Sequence, residues 1–294
     1  MMAHKRSFFR KVEPWLYLLP AILFFFAFTY YPFAKTIFSS FFRVDQMGRW
    51  KTFVGWENFM HVLSLDAFHS SVANTIIYTV LDAPISIVIA LLFALISSKS
   101  TRTSCVYETL FAVTMAMSMS VSAMIFKLAY NPSIGALNAI LHTKINWLND
   151  QKWAMIAITA IGVWMHIGYN YIFLLAAVRG IDKSLLESAS LDGARFWSRT
   201  TKIIMPLISP TLFFLVITSM AKDMMMSSLV LIFTNSASLS TTVNIETMIS
   251  YMYKQAVNNL NYNDAYATAI IAFIMTFLLM LVSFRYEKKG VFYN

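Results

Sequence analysis

The sequence predicts an all-α integral membrane protein with six transmembrane helices, and three observations carry that prediction. Charged residues make up 13% of the chain against 58% apolar residues, about half the charge of a soluble domain. Six separate stretches stay mostly apolar for about 20 residues or more, the length a helix needs to cross the hydrocarbon core. The cations between those stretches fall mainly on alternate connections, as the positive-inside rule requires. With the charge this sparse along most of its length, the chain reads as a single transmembrane domain over 1–294 rather than as two soluble ones.

The first expected span, 15–42, follows Lys5, Arg6, Arg10 and Lys11 and so begins like a signal sequence. It runs on past Phe28 with no small-x-small cleavage site, which predicts an uncleaved crossing. Pro20 and Pro32 predict a kink or break near its ends. The second, 72–98, is apolar apart from Asp82; the third covers 105–129, and the fourth 153–178. The fifth, 204–233, is interrupted by Lys222 and Asp223, so a shorter span followed by a re-entrant stretch is also open. The sixth covers 265–285. With the N-terminus inside, the outer loops hold Arg43, Arg49, Lys51, Lys127, Lys144, Lys152 and Lys254, half the number on the inner side. Both termini are then cytoplasmic, loops 43–71, 130–152 and 234–264 are external, and 179–203 is the one long internal connection.

The net charge of +9 is thereby assigned to inner loops, and no nucleic-acid partner is expected. A lone cysteine, Cys105, allows no intramolecular disulfide and no Cys-based metal cluster. The five histidines are scattered without ligand spacing, so His166 is expected to be an interhelical hydrogen bonder, and no metal site is expected. Methionines 115–119 and 224–226 read as adaptable packing. Neither GxSxG nor HExxH occurs, which argues against a membrane enzyme and leaves no catalytic residues to name. The absence of GxxxxGK[ST] means that any ATP is bound by another polypeptide.

The internal connection carries the most information. Ser184 is a good N-cap with Glu187 three residues on, as in a capping box. Ala189, Ser190 and Ala194 leave one side of a short helix open to close approach. Gly193 is free to take positive φ and turn the chain. Phe196 and Trp197 add an apolar anchor, and Pro206 begins the next span. A short helix of this kind between two membrane crossings suits docking against a cytoplasmic partner.

These residues resemble the cytoplasmic signature of ABC importer permeases: Glu-Ala-Ala, three residues, Gly, nine residues, then Ile-x-Leu-Pro. Glu187-Ser188-Ala189, Gly193 and Ile203-Ile204-Met205-Pro206 match it in spacing, with Ser188 and Met205 as departures. Asp192-Gly193-Ala194 is typical of the carbohydrate-uptake branch. Tyr17-Leu-Leu-Pro20, Tyr31-Pro32, Val54 to Phe59, Asn74-Thr75, Asn131-Pro132, Tyr169 to Phe173 and Phe284-Arg285-Tyr286 extend the likeness along the chain, towards permeases of the maltose and glycerol-phosphate kind. The resemblance implies a type I permease fold and a coupling helix in which Glu187, Ser188, Ala189, Asp192, Gly193, Ala194 and Arg195 engage an ATPase. It also implies a bacterial inner-membrane location and a second homologous permease subunit. Two nucleotide-binding ATPase subunits would carry ATP and Mg, and an external solute-binding protein would deliver the solute. One departure is the stretch Thr234 to Thr242, which lacks the family's Thr-x-Gly-Gly-Pro turn.

Six spans are few to enclose a path alone, so a partner permease is also expected physically. Ionisable groups inside spans are costly and tend to face protein or water. Asp82, Lys222 and Asp223 are therefore expected to line a polar path or to pair with neighbours. Trp164, Tyr169 and Asn170 in the fourth span could stack on and hydrogen-bond a sugar. Competing readings are an ABC permease for a non-sugar solute and an ATP-independent secondary transporter, the latter disfavoured by the lack of paired, broken helices.

Overall fold

The computed structural model describes residues 2–98, 101–235 and 243–290. In chain order, α1 (Met2–Phe25) passes through a π-helical turn (Phe26–Tyr30) into α2 (Tyr31–Ser40). A hairpin of β1 (Phe42–Val44) and β2 (Trp50–Phe53) precedes α3 (Glu57–Leu63) and the long α4 (Asp66–Ile96). Next come α5 (Arg102–Ala116), α6 (Met119–Ala129), α7 (Ala136–Leu141) and the long α8 (Gln151–Arg179). The connection holds α9 (Lys183–Leu191), α10 (Phe196–Arg199), a second π turn (Thr200–Ile204) and α11 (Met205–Leu207). After α12 (Ser209–Met224) and α13 (Ser228–Asn235) come α14 (Met248–Tyr253), a third π turn (Lys254–Asn258) and α15 (Tyr262–Gly290).

Among the described residues, five helical stretches are long and apolar enough to cross a membrane: Glu13–Ser40, Asp66–Ile96, Gln151–Arg179, Ser209–Thr234 and Tyr262–Glu287. A sixth candidate is a pair, Ser104–Ala116 with Met119–Ala129, bent by 105°, which forms either a broken span or a re-entrant loop. The third expected span is therefore not one helix. Met117 is extended, and the Ser118 hydroxyl accepts from the Val121 N–H at 3.3 Å, starting α6 afresh. In the first span a π turn leads into α2, where Pro32 occupies the first turn and no backbone N–H is required of it. In the fifth the helix is interrupted at Met225–Ser227, just past Lys222 and Asp223. Residues 236–242, where the Gly-Gly-Pro turn is missing, lie outside the described residues.

The chain packs as two compact units. One comprises 1–64 with 252–271. Its hairpin closes through Asp45, whose side chain accepts from the N–H groups of Met47 and Arg49, with Gly48 at φ +76°. Asn58 donates to the carbonyls of Ser40 and Phe42, and Asn263 binds both backbone groups of Val44. Loop 43–71 is thus partly ordered sheet, and among the described residues it is the one departure from an all-helical architecture.

The other unit comprises 65–251 with 272–294. Its core is α4 against α8, with α5, α6, α12 and α13 packed around them. Small residues set the spacing. A Cβ at Gly162 would overlap the Tyr78 hydroxyl and Asp82 Oδ1, and one at Gly168 would overlap the Phe111 carbonyl and Thr114 Oγ1. Tyr171, Leu174, Ile158 and Ile161 fill the same α8 faces and are fully buried. The segment before α14 is tied down: Thr247 Oγ1 donates to the Met226 carbonyl at 2.6 Å, and the Met248 N–H donates to Thr75 Oγ1 at 2.9 Å.

Candidate functional site

Two places concentrate polar chemistry in the second unit. The first is the connection between α8 and α12. Asp182, not Ser184, is the N-cap of α9: its carboxylate accepts from the Ser184 N–H at 2.9 Å. That bond holds the Asp182 carboxyl below the usual carboxylate range. Ser184 lies inside the first turn, so the expected capping box with Glu187 does not form. The helix stops where glycine was expected to stop it. Gly193 has φ +75°, and the Gly193 and Ala194 N–H groups donate to the carbonyls of Ser190 and Ala189, a Schellman arrangement.

Ala189 is buried, and Leu186 and Ile181 pack against the core below α8. Glu187, Ser188, Asp192, Gly193 and Arg195 are exposed, and Ala194 is half-buried. Leu191 is 89% exposed and Trp197 66%, beside Phe196 at a 5.6 Å ring separation. Exposed apolar side chains grouped in this way are suited to contact with a membrane or with another protein. Behind the loop, Arg179 donates to the Ser97 carbonyl at 3.1 Å and to Glu108 at 2.7 Å. It thereby ties the ends of α4 and α8 to α5. Glu108 is thus an ion-pair partner at a span end.

The second place is within the membrane crossings. Three rungs join α4 to α8, each one turn from the next: Tyr78 over Gly162, Asp82 with His166, and Ser86 with Asn170. His166 Nδ1 lies 2.6 Å from Asp82 Oδ2 and 3.7 Å from Asp223 Oδ1 of α12. Asn170 Nδ2 donates to Ser86 Oγ at 3.0 Å. Both carboxylates are buried, whereas the His166 side chain is 28% exposed. The exposure is towards a cavity of about 160 Å³ lined by Thr114, Met115, Met117, Met165, His166, Tyr169, Asn170, Ser219 and Lys222. The Lys222 ammonium sits 4.2 Å from the centre of the Tyr169 ring, within cation–π range.

Of the expected path residues, Lys222, Tyr169 and Asn170 line this one cavity. Asp82 and Asp223 are not in its lining; they meet His166. Trp164 stands apart and packs edge-on against Phe126 at 5.4 Å. Sequence reasoning identified His166 as an interhelical hydrogen bonder but not its two carboxylate partners. Asp82 is 84 residues from His166, and no local spacing could have paired them. The Met115, Met117 and Met165 thioethers of the lining were likewise invisible as a group.

Comparisons with known proteins bear on the family and the fold. The family model described as binding-protein-dependent transport system inner membrane component matches residues 76–288. An sn-glycerol-3-phosphate transport system permease protein, UgpA, from Agrobacterium fabrum is 32% identical over 97% of both chains. The protein of the same description from Brucella abortus biovar 1 is 31% identical over 99% of both. Among solved structures, a chain of a bacterial alginate ABC transporter, crystallised with an alginate pentasaccharide-bound periplasmic protein, superposes with a TM-score of 0.80. It is 20% identical, covering 96% of this chain and 97% of that one. A chain of the inward-facing MetNI methionine ABC transporter gives 0.58 at 14% identity, over 80% of this chain and 99% of its own. Those two likenesses establish the type I permease fold.

Proposed function

The chain belongs to the binding-protein-dependent transport system inner membrane components, and on that premise we propose that it forms half of the translocation path of an ATP-driven importer for a polyol phosphate or a related carbohydrate solute. It is a multi-pass transport component of the inner membrane and not an enzyme. The observation that carries the solute class is the end-to-end likeness to the glycerol-phosphate permeases.

In this reading α9 is the coupling helix. Its exposed Glu187 meets a basic residue of an ATPase subunit, and Leu191, Phe196 and Trp197 cover apolar surface there. Ser188, Asp192 and Arg195 complete the contact, while Ala189 and Ala194 keep the helix close to its own core and Gly193 supplies the turn. Closure of two such ATPase subunits, which hold the ATP and Mg, pulls α9. The pull passes through the π turn at Thr200–Ile204 into α12 and shifts the cavity between access states. A second homologous permease completes the path, an external binding protein delivers the solute, and both termini are cytoplasmic. Lys222, Tyr169 and Asn170 face the solute, the ammonium suiting an anionic group and the ring a polyol. Asp82 acts behind them by holding His166, and Asp223 lies beside that pair.

The test uses the complete assembly in liposomes. Glu187→Arg is expected to abolish ATP-driven uptake while leaving membrane insertion intact; undiminished uptake removes the coupling role. For the solute, sn-glycerol 3-phosphate with the cognate binding protein is expected to stimulate ATP hydrolysis, and maltose is not. The opposite ranking overturns the polyol phosphate assignment.

A further inference from the structure

We propose that Asp82, His166 and Asp223 form a binding site for one divalent first-row transition-metal ion, bridging α4, α8 and α12. One ligand-competent atom from each residue lies within 4.8 Å of the other two. The three side chains come from three different helices, so the convergence is a property of the packing and not of a local turn.

One imidazole nitrogen alone leaves this cluster unsatisfied. Asp82 Oδ1 and both oxygens of Asp223 are buried with no hydrogen-bond partner. Nδ1 of His166 is committed to Asp82 Oδ2 at 2.6 Å and is 3.7 Å from Asp223, too far to serve it as well. Lys222 lies next in sequence to Asp223, yet its ammonium is on the Tyr169 ring and makes no ion pair with either carboxylate among the described residues. Buried carboxylate oxygens without hydrogen-bond partners are rare. A single ion among the three ligands would satisfy what one proton cannot.

The spacing suits an ion of this kind. Metal bonds of about 2.0–2.2 Å to imidazole nitrogen and carboxylate oxygen place neighbouring ligand atoms about 2.9–3.5 Å apart. The 2.6 and 3.7 Å separations straddle that range, so small side-chain rotations are enough. An ion bound at Nδ1 needs that nitrogen unprotonated, so binding displaces any proton held between it and Asp82. One imidazole with two carboxylates favours Mn, Fe, Co, Ni or Zn over Mg, whose preferred ligands are all oxygen. The half-exposed face of His166 opens on the cavity, giving an entry route and room for water to complete the shell. The site does not depend on which solute the importer carries.

The experiment uses the full chain in its assembled complex, stripped with chelator in detergent and titrated with Co²⁺, then competed with Zn²⁺ and Mg²⁺. One Co²⁺ per chain is expected, with a visible absorption band and a raised Tm, displaced by Zn²⁺ but not by Mg²⁺. His166→Gln and Asp223→Asn are each expected to weaken binding at least about ten-fold, the scale of losing a ligand or its close support. Should either variant fail to fold, X-ray absorption on the wild-type complex decides: one imidazole nitrogen with oxygens is expected. No stoichiometric cobalt, binding undiminished in both variants, or a shell with two or more imidazoles (an adventitious ion only) overturns the proposal.

Discussion

At the scale of the residue, two glycines separate steric need from conformational need. Gly162 has ordinary helical φ but no space, since the Tyr78 hydroxyl and Asp82 Oδ1 occupy the position of a side chain. Gly162→Ala is expected to destabilise the protein by about 1–3 kcal/mol, the usual cost of overpacking, read as a lowered Tm in detergent. Gly193 has open space and φ +75°. Gly193→Ala should cost about 1 kcal/mol while leaving the packing of α4 on α8 unchanged, which amide exchange confined to 183–195 would show. Asp182 adds a pH dependence. Its carboxyl is depressed when α9 is folded, so its capping contribution is fully present above the ordinary carboxylate range. That contribution fades as pH falls towards the lowered folded value. Exchange protection of α9 should therefore be flat through neutral pH and fall in acid, and Asp182→Asn should remove the acid step.

At the scale of the element, legibility in the sequence followed how local each cause was. Apolar length alone located α4, α8 and α15, because crossing a bilayer is a requirement on one segment at a time. The stop of α9 was equally local and was read correctly from Gly193. Its start was misread, because Asp182 and Ser184 are both good caps and only the entering chain direction chooses between them. The 105° bend at Met117–Ser118 left no signal, for the break contains neither Pro nor Gly. It depends on one serine hydroxyl, and Ser118→Ala should lower stability by about 1 kcal/mol with faster exchange over 119–122. The rung of Asp82 and His166 was out of reach because its members are brought together only once α4 has packed on α8.

At the scale of the whole molecule, orientation is the expectation that all the loop assignments share. Cys105 is the only thiol, so Cys105→Ser yields a background in which single cysteines report sidedness. Met47→Cys, at a position 78% exposed, is expected to react with a membrane-impermeant maleimide added to intact cells. Leu191→Cys, 89% exposed in the isolated chain, should react only after the membrane is opened, and should be shielded when the ATPase subunits are present. Reaction of residue 191 from outside would invert the topology and with it the coupling scheme.

The π turn at Thr200–Ile204 has a bearing on how this chain can drift in sequence. A π turn accommodates one residue more than the surrounding α-helix, and each residue of a helix advances the wheel by about 100°. Losing any one residue from 200–204 would let the stretch revert to plain α-helix without unravelling its ends. Because the wide turn advances the wheel about as far with five residues as an α-helix does with four, everything upstream would keep its phase against everything downstream. A one-residue deletion there should still yield an inserted chain with motor contact and solute cavity in phase, whereas a one-residue deletion within α12 should turn them about 100° apart and abolish ATP-driven uptake.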